Sequence, residues 1–181
     1  MPLIELESEE LNALNTFPLG FTVEEGLSTN ARYRLEMECP HAQVDFESLL
    51  GKNLTVSIEM PFGPRRRFNA WIVGGEDRGQ LGNHSVYAFR LSCWLWFLKQ
   101  NRHSRIFQHL NVPDIITQVF AHYGVADFRM ELENSYPPRE YCVQFAESDF
   151  DFVSRLLEDE GISYYIEHGD KGHTLVIGDR Q

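Results

Sequence analysis

The first half of the chain alternates apolar and polar residues with a period of two. From Tyr33 to Cys39 every second residue is apolar and the residues between are charged, and the run from Leu54 to Met60 repeats the alternation. Because successive side chains of a strand point to opposite faces, such runs form strands with one buried and one solvated face. Two more strands are predicted over 67–77 and 84–95, joined by a glycine-containing loop. Several short strands at this spacing predict a small antiparallel β-barrel or sandwich.

The pattern changes near residue 101, where the apolar spacing becomes helical. An apolar stripe over 112–123 recurs every three or four positions, and a second stripe follows Ser148, which together with Asp151 resembles a capping box. Gly161 follows the second helix, as helix ends favour. Short strands are predicted around the helices at 128–132, 140–145, 162–168 and 173–177. The predicted fold class is mainly β (α+β): a small antiparallel β-barrel followed by an α/β portion with two amphipathic helices.

Charge and cysteine content narrow the classes of partner and location. The formal net charge of −11 opposes contact with a phosphate backbone, and the basic run 65–67 is typical of a solvated hairpin tip, so no nucleic acid partner is expected. Three widely spaced cysteines indicate neither a disulfide framework nor a zinc site, and they suit a reducing compartment such as the cytoplasm. The N-terminus lacks a signal-peptide pattern, and the apolar run 93–98 is too short to span a bilayer, so no stable membrane insertion is expected.

Seven histidines prompt a search for a metal site. His41, His103 and His109 lack the spacing of common zinc motifs. His168 and His173 flank a predicted hairpin turn and could face each other, but two ligands without a third are more often exposed polar residues at strand ends. We therefore predict no metal-binding, cofactor-binding or catalytic residue, and no cofactor.

Acidic residues cluster at both ends of the second predicted helix. Glu147, Asp149 and Asp151 could serve as the acid and base of a glycosidase. Carboxylates at a helix N-terminus also stabilise its unpaired N–H groups and its dipole, which explains them without catalysis. The acids at 158–160 lie at the opposite end, where Arg155 is the candidate local partner. The sequence therefore predicts a protein that is not an enzyme.

The segment Trp94 to Leu98 is apolar throughout. If it continues a strand, Trp94 and Trp96 lie on one face and Leu95 on the other, so both faces need cover. Two interpretations stay open. One is an inter-domain core within the chain, for instance against the helix over 112–123, and the other is a subunit contact. Trp94, Trp96 and Phe97 are the predicted interface residues.

Five segments of the chain form an ordered set. They are LLGK at 49–52, FRL with WLW within 89–96, SRIFQ at 104–108, YPPREYCVQ at 136–144 and ESDFDFVSRLLE at 147–158. Together these segments resemble the VgrG spike proteins of type VI secretion systems and the phage late control protein D hub proteins of contractile tails. The resemblance covers most of the chain from about Phe21 onward.

The resemblance implies a phage tail hub-like fold and a mechanical function. Residues 1–100 would form the first hub-like β-barrel, and 101–181 an inserted α+β portion leading into an incomplete second barrel. Family members build the base of a homotrimeric puncturing spike that docks on the Hcp tube protein, contacts other baseplate components and helps to deliver effectors. The chain is accordingly expected to assemble in the cytoplasm and then to be secreted or injected into target cells.

One other class is kept as an alternative: a phage-tail-derived module that binds or hydrolyses carbohydrate or cell wall. A solvent-lined cleft that carries Trp71 or Tyr141 would favour this class. Aromatic side chains packed in cores would favour the spike instead.

Overall fold

The computed structural model describes residues 3–40, 44–170 and 172–180. Contacts between residues divide the chain into two compact units. The first unit draws on residues within 1–25, 31–93 and 167–173, and the second on residues within 26–30, 94–166 and 174–181.

The first unit is built on a six-stranded antiparallel sheet. Its strands are β1 (Ile4–Glu7), β2 (Phe17–Glu24), β3 (Arg32–Cys39), β4 (Asn53–Ile58), β5 (Arg66–Leu81) and β6 (His84–Ser92), accompanied by the short helices α1 (Glu9–Ala13) and α2 (Phe46–Leu49). The strand order is β1-β4-β5-β6-β3-β2, and every neighbouring pair is antiparallel. The mainly β class is confirmed. Among the described residues β1 and β2 are the edges, so the sheet is open where the sequence predicted a closed barrel.

The alternation in the sequence is the reason that this sheet has a buried face. Tyr33, Leu35, Met37 and Cys39 of β3 are all buried, whereas the charged residues between them are partly exposed. Apolar area removed from water stabilises a fold by about 25 cal/mol per Å². A register slip of one residue would turn this face toward solvent, so the alternation also fixes the register.

The prediction of a loop at 78–83 is wrong, because the strands β5 and β6 pair with each other through most of this segment. The connection is a two-residue turn at Gly82 and Asn83. The register shifts between Asp77 and Gly79, and Gly79 has a φ of +93°. Glycine adopts this conformation without a Cβ clash, so the strand absorbs an extra residue as a bulge and the ladder then continues.

The second unit combines two helices with two small sheets. The helices are α3 (Val112–Phe120) and α4 (Asp149–Asp159), and a 3₁₀ helix covers Trp94–Lys99. The first sheet is a two-stranded antiparallel ribbon of β7 (Arg102–Leu110), a strand that the sequence analysis missed, and β9 (Arg139–Ser148). In the other sheet β8 (Phe128–Glu131) is parallel to β11 (His173–Gly178), which lies between β8 and β10 (Ser163–His168). Residues 167–173, where β10 turns into β11, belong to the first unit.

Both predicted helices are confirmed, and side chains cap their N-termini. Asn111 Oδ1 accepts a hydrogen bond from the Asp114 N–H at 2.8 Å in α3, and Ser148 Oγ accepts one from the Asp151 N–H at 3.0 Å in α4. These caps satisfy amides that a helix leaves unpaired in its first turn. Gly161, with a φ of +68°, follows the end of α4 as predicted.

The three cysteines, Cys39, Cys93 and Cys142, all lie in the described ranges. They are buried and carry thiols, with no disulfide between them. The fold of each unit therefore depends on packing and hydrogen bonds and not on oxidation.

Gly75→Ala is expected to destabilise the chain more than Gly74→Ala. A Cβ at Gly75 would lie 2.3 Å from a ring carbon of Phe46, which packs against Phe89, whereas a Cβ at Gly74 would meet the flexible end of Arg90. Overpacking against a fixed ring costs about 1–3 kcal/mol. The urea midpoint of unfolding should fall clearly for Gly75→Ala and much less for Gly74→Ala, and equal losses would contradict the argument.

Candidate functional site

Helix α4 covers one face of the ribbon formed by β7 and β9. Phe107, Cys142 and Gln144 point to that face and are buried. The Phe107 ring stacks on Phe152 of α4 with centroids 5.6 Å apart. Because a two-stranded ribbon alone is marginally stable in water, this packing is what holds it in the unit.

The opposite face of the ribbon carries apolar side chains that remain exposed. Tyr141, Val143 and Phe145 alternate with the buried residues of β9 and are 55%, 39% and 78% exposed. Ile106 of β7 stands opposite Val143 in the register and is 60% exposed. We call these four side chains the ribbon patch. Contiguous exposed apolar patches on water-facing surfaces mark interaction sites, so the ribbon patch is the candidate docking surface.

The surroundings of the ribbon patch suit docking better than ligand capture. Ser104 and Gln108, which flank Ile106 on the same face of β7, are exposed and uncharged, so burying this central part of the face desolvates no charge on β7. Each strand of the ribbon also keeps one edge unpaired with any other described strand, which leaves backbone groups for pairing with a partner. Tyr141, considered for a carbohydrate cleft, lies on this open face.

The predicted interface residues do not lie on a strand. β6 ends at Ser92, and Trp94, Trp96 and Phe97 lie in the 3₁₀ helix that follows, so the strand predicted over 84–95 is too long. Residues three apart eclipse one another in a 3₁₀ helix. The buried residues of this segment therefore follow the spacing of a helix. The argument from strand alternation, which placed Trp94 and Trp96 on one face and Leu95 on the other, does not apply to it.

Trp94 is wholly buried and contacts two residues of the second unit. Its Nε1–H donates to the carbonyl of Asp127 at 3.0 Å, and its ring meets Phe120 of α3 edge-on with centroids 4.9 Å apart. The sequence analysis considered a contact with this helix as an inter-domain core, but Trp94 and the helix belong to the same unit. Trp96 and Phe97 are half-buried, with rings 5.5 Å apart, and a subunit contact through them stays a prediction.

Asp149, in the first turn of α4, is fully buried and bound by four side chains. Its Oδ1 lies 2.7 Å from Gln144 Nε2 and 3.0 Å from His103 Nδ1. Its Oδ2 lies 2.7 Å from the Tyr123 hydroxyl and 3.0 Å from Arg105 Nη2. One carboxylate thus joins α4, β7, β9 and the segment after α3. The sequence predicted a capping carboxylate here, whereas the structure uses it as a buried junction.

The charge states within this junction follow from its surroundings. Burial by itself raises the pKa of Asp149, but hydrogen bonds from Gln144, Tyr123 and His103 and the charge of Arg105 outweigh burial and hold the pKa below its usual range. Burial and the bond to Asp149 raise the pKa of Tyr123 to about 12. Asp149 is therefore ionised and Tyr123 protonated at neutral pH, which suits a fixed structural contact and not proton transfer.

Ion pairs around α4 differ from the local pairing that the sequence suggested. Arg155 binds Glu147 at 2.7 Å instead of an acid at 158–160. Two of those acids are met by Arg139 of β9, which lies 2.7 Å from Glu160 and 3.6 Å from Asp159. Ion pairs at a protein surface contribute about 0–1 kcal/mol each, so these partly exposed pairs add little to the stability of α4 on the ribbon.

His168 and His173 face each other in the first unit, with ring centroids 6.0 Å apart, but they are not the exposed residues that the sequence predicted. The Asn69 N–H donates to His168 Nδ1 at 3.0 Å, so His168 Nε2–H faces Glu25 at 2.7 Å. His173 Nδ1 lies 2.9 Å from Asn69 Oδ1. Within the described residues no three His, Cys, Asp or Glu side chains converge as metal ligands, and His41 lies outside them.

Carboxylates engage two of the three arginines in the basic run at 65–67. Arg65 pairs with Glu5 and Glu59, and Arg67 pairs with Asp170. Arg66 lies over the ring of Phe68. Among the helices in the described part of the chain, none has the length and apolar content needed to cross a bilayer.

The described residues form a β-rich scaffold with an exposed apolar face and buried polar junctions. Comparison with known proteins identifies the family. The phage tail baseplate hub (GPD) family matches residues 24–181. The type VI secretion system spike protein VgrG1c of Pseudomonas aeruginosa is 42% identical over 147 residues, which are 81% of this chain and 20% of that protein. The chain belongs to the phage tail baseplate hub family, as the resemblance implied.

Solved structures show the same fold. A type VI secretion component of E. coli, described as structurally similar to the T4 bacteriophage tail proteins gp27 and gp5, aligns with a TM-score of 0.79 and 25% identity over 92% of this chain and 49% of that one. One chain of the Francisella PdpA-VgrG complex aligns with a TM-score of 0.65 and 12% identity over 89% of this chain and 27% of that one. The chain spans about a fifth of the length of the curated relatives it matches.

Asp149→Asn is expected to destabilise the chain by on the order of 3 kcal/mol, because it leaves Arg105 without its buried counter-charge. The control is Asp151→Asn, which makes the same change of charge two residues away at an exposed position of the same helix. It should cost about 1 kcal/mol or less. Urea unfolding at pH 7 measures both, and comparable losses would show that Asp149 is not the junction.

The stability contributed by Asp149 should depend on pH in one direction. Since its folded pKa is lowered, the contribution is complete above the unfolded pKa of about 4 and is lost as the pH falls through the folded value. The stability difference between the native chain and Asp149→Asn should therefore shrink on acidification below about pH 4. A difference that stayed constant from pH 7 to pH 3 would contradict this account.

Proposed function

We propose that this chain is a structural part of a type VI secretion spike, at the base of a trimeric VgrG puncturing device. In this role it docks on the Hcp tube protein, contacts other baseplate components and helps to deliver effectors. It performs no catalysis. Its role is structural: it maintains an interface between subunits while the device is driven forward.

The observation that carries this proposal is the match to the hub family over residues 24–181, together with 42% identity to a VgrG spike protein. The E. coli relative, at 25% identity and a TM-score of 0.79, is itself a type VI secretion component, which supports the same role. By the same likeness we assign residues 1–100 to the module that corresponds to the first hub-like barrel, whose described strands form an open sheet, and 101–181 to the inserted portion. The chain would assemble in the cytoplasm and leave the cell with the spike.

The ribbon patch is the surface through which we expect the chain to contact another subunit. An interface between subunits needs a surface whose burial is favourable and whose backbone can form hydrogen bonds. The ribbon offers an apolar patch and two open strand edges. Aromatic side chains such as Tyr141 and Phe145 are the usual anchors of such interfaces. We therefore propose that the ribbon patch is buried against another subunit of the spike and tube assembly.

Ile106→Glu is the test of this surface, and Leu81→Glu is its matched control. The two native side chains are equally exposed, at 60% and 61%, but Leu81 lies at the β5–β6 turn of the first unit. A carboxylate buried in an apolar contact costs more than 1.4 kcal/mol, so assembly should weaken by at least about tenfold for Ile106→Glu. Phe145→Glu should behave as Ile106→Glu does.

Two measurements separate the possible partners. Light scattering over a concentration series reports self-association of the chain and its variants, and co-purification with the Hcp protein reports docking on the tube. Loss of either one in Ile106→Glu, but not in Leu81→Glu, assigns that contact to the ribbon patch. If both contacts are intact in Ile106→Glu and Phe145→Glu, the ribbon patch is not the joint. A native chain that neither self-associates nor binds Hcp would speak against the spike proposal for this part of the chain.

A further inference from the structure

The loop between β4 and β5 carries a protruding aromatic ring. Phe62 is 98% exposed, the highest value among the large apolar side chains in the described ranges, so its ring adds almost nothing to the core of the first unit. Met60 in the same loop is also exposed, and so is Leu3, whose carbonyl accepts a hydrogen bond from the Glu59 N–H at 3.0 Å. We call residues 59–65 the Phe62 loop. Apolar groups exposed together in this way are candidate contacts for a partner.

Local chemistry holds the Phe62 loop in one conformation. Prolines stand directly before the ring and two residues after it, and each fixes its own φ. Gly63 has a φ of +133°, a conformation that other residues rarely adopt. Arg65 forms ion pairs with Glu5 of β1 and with Glu59, so the two ends of the loop are tied to each other and to the sheet. A ring presented in this way loses little conformational entropy when a partner covers it.

Charge at the base of the Phe62 loop is balanced. The run 65–67 supplies three positive charges, and Glu5, Glu59 and Asp170, which pair with two of these arginines, supply three negative ones. The net charge of −11 is therefore carried by the rest of the chain. The ribbon patch is likewise flanked on β7 by uncharged residues. Two copies of an acidic chain repel each other least where each presents a neutral surface, and these are two such surfaces.

A trimer imposes a condition on the ribbon patch. In a closed ring of three identical chains every interface joins two different surfaces, because only a twofold axis brings a surface against its own copy. One ribbon patch therefore cannot be buried against another around such a ring. It requires a second apolar surface, at a different place on the neighbouring copy. The Phe62 loop, which belongs to the first unit while the ribbon patch belongs to the second, meets this requirement.

We propose that the Phe62 loop of one copy packs on the ribbon patch of the next copy, an inference that rests on the proposed trimeric spike. The Phe62 ring then meets an open face that presents two aromatic rings, Tyr141 and Phe145, and aromatic rings pack favourably edge-to-face or offset. The contact is apolar on both sides and buries no charge. A lipid surface is the poorer occupant, because Arg65 and Arg67, which lipid phosphates would attract, are already paired with carboxylates.

The test is a mixing experiment with two variants of the 181-residue chain, followed by light scattering over a concentration series. Phe62→Glu keeps the ribbon patch and loses the loop contact, whereas Ile106→Glu keeps the loop and loses the ribbon patch. Each variant alone should self-associate at least about tenfold more weakly than the native chain, because a carboxylate enters an apolar contact.

An equal mixture of the two variants should regain association as a one-to-one dimer. The intact ribbon patch of Phe62→Glu accepts the intact loop of Ile106→Glu, so one native interface forms. The dimer cannot close into a ring, because both of its outer surfaces carry a new carboxylate. This complementation is expected only where the loop of one copy meets the ribbon patch of another.

Leu81→Glu is the matched control, because it places the same charge at another exposed position of the first unit. It should assemble as the native chain does. Thermal unfolding checks the fold of each variant, and Phe62→Glu should melt as the native chain does, since its side chain lies outside the core. Phe145→Glu replaces Ile106→Glu in the mixture if the latter unfolds.

Association in the mixture that is no stronger than in either variant alone would show that the loop and the ribbon patch do not meet. Unimpaired self-association of Phe62→Glu would overturn the contact as well. If that variant instead loses co-purification with Hcp, or binding to phosphatidylcholine vesicles, the loop contacts the tube or a lipid surface. A native chain that is monomeric at every concentration also overturns the inference, while its co-purification with Hcp still decides the spike proposal. Loss of assembly in Ile106→Glu but not in Phe62→Glu overturns the loop contact alone and leaves the ribbon patch as an interface.

Discussion

The second unit depends on one buried carboxylate. Asp149 comes from the first turn of α4, and its partners come from both strands of the ribbon and from the segment after α3. A charge removed from water this completely is tolerated where every oxygen is bonded and an opposite charge is near. The position of α4 on the ribbon and the outward direction of the ribbon patch both follow from satisfying it.

In the first unit, an uncharged cluster of hydrogen bonds around Asn69 has the place that the Asp149 junction has in the second. Asn69, buried in β5, exchanges amide hydrogen bonds with Asn53, donates to Thr55 Oγ1 at 3.0 Å and meets His173 through its own oxygen. Its backbone N–H holds the tautomer of His168. A fully bonded polar cluster of this kind specifies which segments meet, since any other pairing leaves buried donors unsatisfied. Two histidines that suggested a metal pair from sequence are part of this structural network.

The sequence was sufficient for the elements whose pattern is local. The alternation around Tyr33 to Cys39, the helical stripes and the hub resemblance predicted the class, both helices and most strands. It was insufficient where partners are distant. Arg105 and Asp149 are 44 residues apart, and nothing in the spacing of either one signals the other. Trp94 was placed on a strand because an apolar run as short as 93–98 does not distinguish a strand from a tight helix.

The faces of the ribbon and its strand β7 were not predicted, for a different reason. Tyr141, Val143 and Phe145 form an apolar row that alternation would place inside, with Cys142 and Gln144 outside, and the structure reverses these faces. β7 was missed because Ile106 and Phe107 are adjacent apolar residues on opposite faces, which breaks the alternation. A strand whose apolar row faces solvent is typical of an interaction surface. The candidate docking surface is thus the place where the rule that apolar rows face the core fails.

The ribbon patch has a consequence for how the chain behaves alone. Two copies that met through this face would gain from burying it, yet each copy carries a net charge of −11. That repulsion reaches about 10 Å at 0.1 M salt and about 3 Å at 1 M, so it protects the face in dilute salt and fails in concentrated salt. The acidity of the chain therefore opposes contact between copies through this face, and salt weakens that opposition.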